Sequence, residues 1–91
     1  MSAVHHETVY FSGRVQGVGF RYQTLQLAKG FEVSGFVCNL PDGRVHLEAE
    51  GEKAEVEAFV AEIEEHLQGF IRKTERASGP RAPTHRGFAI R

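Results

Sequence analysis

The chain has 91 residues, which is room for one domain spanning residues 1–91. Its formal net charge is −1, so no overall positive field recruits nucleic acid. The proportions, 41% hydrophobic and 25% charged, are those of an ordinary globular domain. A single cysteine, Cys38, excludes an intrachain disulfide and suits a reducing compartment. No apolar run approaches the ~20 residues of a membrane span, and Met1–Glu7 carries no apolar signal segment. A cytoplasmic protein with no membrane partner is expected.

The predicted elements follow in chain order. Glu7 to Gly13 alternates, with Val9 and Phe11 on one side and Thr8, Tyr10 and Ser12 on the other, as in a half-buried strand. Gly13 to Gly19 holds three glycines and reads as a loop. From Phe20 the spacing turns helical: Phe20, Leu27, Ala28 and Phe31 share one face, and Gly30 falls near the helix end. A second strand covers about Gly35 to Leu40. Pro41-Asp42-Gly43 is a turn, since Pro presets φ and Gly supplies positive φ. A third strand then points Val45, Leu47 and Ala49 inward and Arg44, His46, Glu48 and Glu50 outward. In the second helix Val56, Phe59, Val60, Ile63 and Leu67 form an apolar stripe among glutamates. A fourth strand is expected near Phe70–Ala77, a loop at Ser78–Pro83, and a short fifth strand near Gly87–Ile90.

This order predicts an α+β class, a ferredoxin-like βαββαβ sandwich with an antiparallel sheet and two helices on one face. Many functions share that layout, so chemistry has to come from particular residues.

The informative run is Gly13-Arg-Val-Gln-Gly-Val-Gly-Phe-Arg21, which leaves a strand and enters a helix. The first four N–H groups of that helix lack internal partners, and no Ser, Thr, Asp or Asn stands near Gly17–Phe20 to cap them. The second helix opens with Glu52 and Glu55, which suit a positive helix end; the first opens with Arg21, of the opposite sign. A bound phosphate would satisfy the amides and balance the arginine. Glycines would let it approach the backbone closely, and Arg21 would clamp it with two hydrogen bonds. An ordinary glycine-rich turn with a surface arginine fits the same residues equally well. The P-loop spacing is absent, and the dinucleotide fingerprint fails at Tyr22.

The run Gly13–Arg21 closely resembles the acylphosphatase signature. A second block, Gly35-Phe-Val-Cys-Asn-Leu-Pro-Asp-Gly-Arg-Val45, and the ending Phe88-Ala-Ile90 are also similar to that family. The resemblance covers nearly the whole chain. It implies metal-independent hydrolysis of acyl phosphates with no cofactor. It implies that Gln16, Gly17, Val18, Gly19, Phe20 and Arg21 bind the substrate phosphate, with Arg21 as the motif's closing arginine. It further implies that Asn39 is the catalytic asparagine that positions water. Phe36 stands where the family often has tryptophan, His46 where an acidic residue is common, and Gly69-Phe70 where Gly-Pro follows the second helix. These departures concern packing and the fourth strand.

His5, His6, His46, His66 and His85 show no metal-ligand spacing with Cys or Asp, so they are expected to be solvated or hydrogen-bonded, and no metal is expected. Cys38 reads as a packed or half-exposed thiol. Glu48, Glu50, Glu62, Glu64 and Glu65 read as solvated charge, and Arg14 as either a loop support or a surface residue. An RNA-recognition module has the same element order, and Val9–Gly13 resembles its first strand. Its third strand needs stacking aromatics, where this chain has Arg44, His46 and Glu48. A phosphate- or carbamoyl-phosphate-binding domain of a larger hydrogenase-maturation protein is the nearer alternative. A 91-residue chain favours the free-standing enzyme. The expected partner is thus a small-molecule acyl phosphate, and no exposed apolar stripe demands a dimer, so a monomer is expected.

Overall fold

Alternation along the first strand sends Val9 and Phe11 into a core, and the strand they define lies second from one edge of a five-stranded sheet. The computed structural model describes residues 3–91; residues 1 and 2 of the Met1–Glu7 stretch lie outside the described residues. The elements are β1 (Val4–Gly13), α1 (Phe20–Ala28), β2 (Val33–Asn39), β3 (Val45–Gly51), α2 (Lys53–His66), β4 (Ile71–Arg81) and β5 (Phe88–Ile90). The sheet order is β4-β1-β3-β2-β5. The predicted ferredoxin-like α+β arrangement is found, with both helices on one face. Val9, Phe11, Val37, Val45, Leu47 and Ala49 of the sheet meet Phe20, Val56, Phe59, Val60 and Ile63 there. No helix among the described residues is long and apolar enough to cross a membrane.

Two expectations need correction. The sheet is mixed: β1, β2, β3 and β4 pair antiparallel, but β5 runs parallel to β2, from Gly35↔Phe88 to Val37↔Ile90. The reason is geometric. β4 ends where β1 begins, with Val4 opposite Arg81, so the chain leaves β4 at the end of the sheet where β2 also starts. The connection through residues 82–87 is short, and β5 has to set out in the same direction as β2. The second correction concerns Ser78–Pro83. Ser78 to Arg81 continue β4, because the first residues of β1 supply partners: His6 faces Gly79 and His5 faces Pro80. Pro80 is tolerated because β4 is an edge strand.

The 82–87 segment links the two edges of the sheet by crossing the face opposite the helices. Glu50 of β3 fastens it there. Its carboxylate accepts hydrogen bonds from Thr84 N (2.9 Å), Thr84 Oγ1 (3.1 Å) and His85 N (3.3 Å).

Candidate active site

The loop between β1 and α1 is held at three points. Arg14 N donates to the Phe70 carbonyl at 2.9 Å, fixing its start. Val15 is fully buried beneath it. The Gln16 amide nitrogen donates to the carbonyls of Leu40 (2.9 Å) and Arg44 (3.0 Å), tying the loop to the β2–β3 hairpin. Gln16 therefore spends its side chain on joining the loop to the element that carries Asn39.

Gly17 and Gly19 adopt φ of 78° and 77°, in the left-handed region that favours glycine. A Cβ on either would meet no atom within 4 Å, so the space beside both glycines is open. Gly19 is the N-cap of α1. No side chain caps the helix, and its first turn holds no acidic residue. The amides at this end thus face outward with the positive pole of the helix. Arginine–carboxylate pairs among the described residues involve Arg44 and Arg76, not Arg21.

These parts meet in one cleft of about 200 Å³, lined by Val15, Gly17, Gly19, Phe20, Arg21, Tyr22, Asn39 and Ile90. The structure thus brings Gly17, Gly19, Phe20, Arg21 and Asn39 together. Gln16 and Val18 are not part of the lining. Gln16 braces the hairpin, and Val18 packs against the core. Asn39 Oδ1 is buried with no hydrogen-bond partner. Because a buried unpaired amide oxygen is costly, it stands ready for a donor in the cleft. Tyr22 and Ile90 carried no signal in the sequence: one is an exposed helix residue, and the other depends on β5 docking beside β2.

The opposite face of the sheet overturns the expected solvation of several residues. Glu50 is only 3% exposed, and His6 is buried as well. His6, His46 and His85 surround Glu48, with ring nitrogens 3.3, 3.3 and 3.5 Å from its carboxylate oxygens. Yet His6 Nδ1, His46 Nε2 and His85 Nε2 are buried without a hydrogen bond. The cause is the 82–87 segment, which covers residues that alternation alone assigns to solvent. Burial, followed by the Arg81 charge, lowers the His6 pKa from its ordinary value; Arg81 donates to His6 Nε2 at 3.1 Å. Burial also lowers that of His46. For Glu50, burial pushes the pKa upward, but the hydrogen bonds from Thr84 and His85 outweigh it and hold the carboxyl below the usual range. Cys38 is half-buried, 4.0 Å from His46 Nδ1, and Arg14 is exposed.

The donors His5, Glu7 and Glu57 lie within 4.8 Å of one another, a separation a cation could bridge. Arg76, at 2.7 Å, already balances the Glu7 carboxylate. This group has no member in the cleft of Arg21 and Asn39.

Comparison with known proteins identifies the family. A family model described as acylphosphatase matches residues 7–90. An acylphosphatase of Archaeoglobus fulgidus is 39% identical over 83 residues, covering 91% of this chain and 79% of that protein. One of Rubrobacter xylanophilus is 44% identical over 88 residues, covering 91% and 76%. The crystal structure of acylphosphatase from Bacillus subtilis superimposes with a TM-score of 0.84 at 28% identity, covering 94% of this chain and 97% of that one. Full-length HypF, in a phosphate- and nucleotide-bound form, gives 0.82 at 26% identity, with 99% of this chain matching 12% of that chain. With an uncapped helix end, an unpaired arginine and an unpaired asparagine in one cleft, and a match over nearly the full length, the chain belongs to the acylphosphatase family, enzymes that hydrolyse acyl phosphates.

Proposed function

We propose that Arg21 and the amides of the Gln16–Arg21 loop hold the phosphoryl group of an acyl phosphate while Asn39 orients the attacking water. The observation that carries this reading is the shared cleft: a cation without a carboxylate partner and a buried, unsatisfied amide oxygen line the same space. The reaction asks little of an acid. Its leaving group is a carboxylate, whose conjugate acid has a pKa near ~4. Water oxygen bonds to phosphorus as the bond between phosphorus and the acyl oxygen breaks. The acyl group departs as carboxylate, and the water proton passes to a phosphoryl oxygen, giving inorganic phosphate. Asn39 is too weak a base to take that proton, but its oxygen accepts a hydrogen bond from water and fixes the line of attack. Arg21 and the helix end stabilise the charge on the transferring group.

Hydrolysis of benzoyl phosphate tests the assignment. Turnover is expected to survive a chelator, since the proposed machinery is an arginine, amides and an asparagine. Arg21→Gln should lose both phosphate binding and turnover. Asn39→Ala should lose about 10²-fold or more in kcat while keeping its affinity for inorganic phosphate. Full activity in either variant would refute the corresponding role.

A further inference from the structure

We propose that Tyr22 and Ile90 form the binding surface for the acyl group and give the protein a preference for apolar, above all aromatic, acyl phosphates. The inference rests on the reading of the cleft as the phosphate site. Large hydrophobic side chains exposed among the described residues are Tyr22 (62%), Ile90 (38%) and Phe70 (37%), and the first two both line this cleft. Singly exposed apolar residues are ordinary, but two converging on the cleft that also holds Arg21 and Asn39 mark a surface that a ligand covers.

The two come from different elements and flank the reacting groups. Tyr22 follows Arg21 in the first turn of α1. Ile90 of β5 is paired with Val37, two residues before Asn39 on β2. The surface they make is therefore continuous with both the cation and the asparagine. The acyl group has to extend from the phosphoryl group along the same cleft. Its volume of about 200 Å³ is roughly six or seven times that of a water molecule in the liquid, so a bound phosphate leaves part of it free. Arg21 is the only charged residue in the lining, and it faces the phosphoryl group. An acyl group bearing its own carboxylate or ammonium finds no partner for that charge and would lose hydration. A benzoyl-like group finds a phenol ring to stack on and a branched aliphatic side chain beside it.

The test compares benzoyl phosphate with acetyl phosphate. In Tyr22→Ala the ratio of kcat/KM for benzoyl over acetyl phosphate is expected to fall about tenfold, mostly through KM. Ile90→Ser should lower the ratio less. Tyr22→Phe should keep it, because the ring and not the hydroxyl makes the surface. Inhibition by inorganic phosphate, which has no acyl group, should not change in any of the three. Tyr22 is exposed, so its variants are expected to fold, and circular dichroism checks this. A benzoyl-to-acetyl ratio that ignores Tyr22→Ala would overturn the proposal and leave the phosphatase reading standing. Loss of phosphate inhibition in that variant would also overturn it, by showing that Tyr22 serves the phosphate cradle. A wild-type protein that hydrolyses neither acyl phosphate would overturn the phosphatase reading, and this proposal with it.

Discussion

Gln16→Ala separates the loop proposed to hold phosphate from the hairpin that carries Asn39. The side chain donates two hydrogen bonds, to the carbonyls of Leu40 and Arg44. Neither carbonyl is orphaned by the substitution. Leu40 O still accepts from Gly43 N at 3.1 Å, and Arg44 O from Leu40 N at 2.8 Å. The loss is therefore that of two net hydrogen bonds without a full desolvation penalty, about 1–2 kcal/mol. For a domain of this size the melting temperature should drop by about 5–15 °C. If Asn39 orients the attacking water as proposed, catalysis should suffer more than stability suggests, since small misplacement of that water is costly. A fall in kcat for benzoyl phosphate of about tenfold is expected. Gln16→Glu should be worse, because a carboxylate has no proton to offer the two carbonyls. Part of its stability should return below about pH 4.3, where the new carboxyl is protonated and can donate. Thermal melts followed by circular dichroism, with steady-state assays well below the melting temperature, read both effects. Wild-type melting and wild-type kcat in Gln16→Ala would refute the brace.

Glu50→Gln should free the 82–87 segment and lower stability at neutral pH by about 2–3 kcal/mol, because charge-assisted bonds from Thr84 and His85 are weakened. Glu50 has its folded pKa held below the ordinary 4.5, so its contribution is present above that pH and is lost as the pH falls through the folded value. The gap between wild type and variant in urea unfolding should close under acid; a gap independent of pH would contradict the anchor. The histidines act earlier. His6 and His46 have pKa values below the ordinary 6.5, so the unfolded chain binds more protons there, and stability should start to decline as the pH drops below 6.5. A flat urea midpoint from neutral pH down to the carboxylate range would count against their buried, neutral state. Arg76→Gln strands the Glu7 carboxylate, which is 2% exposed while Arg76 is 38% exposed. With water able to reach the arginine side, about 2 kcal/mol should be lost, and Glu7→Gln in the same chain should restore much of it. Gly19→Ala should cost about 1–2 kcal/mol for left-handed backbone, yet it should fold and weaken inhibition by inorganic phosphate, since the added methyl enters the cleft. Unchanged inhibition would argue against close approach of phosphate at Gly19.

Local periodicity carried most of the fold. Val9 and Phe11 alternate into the core as expected, and the stripe from Val56 to Ile63 is the buried face of α2. The candidate phosphate loop is legible in the sequence because all its parts are neighbours there: a strand end, glycines, and an arginine at an uncapped helix start. Asn39 was visible only through family resemblance, since it meets the loop through the sheet and nothing local marks it. The parallel docking of β5, the strand character of Ser78–Arg81 and the burial of His6 and Glu50 depend on which segment covers which face. Alternation separates the two faces of a strand, but it does not tell whether a distant segment, here residues 82–87, lies across the outer one. Gln16 illustrates the same limit on a smaller scale, because its acceptors are more than twenty residues away.

The edge position of β4 bears on how copies of this chain meet. An outermost strand of 11 residues presents unpaired backbone groups on which another molecule could add a strand, the first step towards aggregation. β5, at the other edge, offers only three residues. Along β4 the side chains include Arg72, Lys73, Arg76 and Arg81, with Glu75 as the one anion and Pro80 as a missing donor. Two such edges brought together in parallel register would set Arg72, Lys73 and Arg81 each against its own copy. The cations and the proline of β4 thus guard the side of the sheet most open to unwanted pairing.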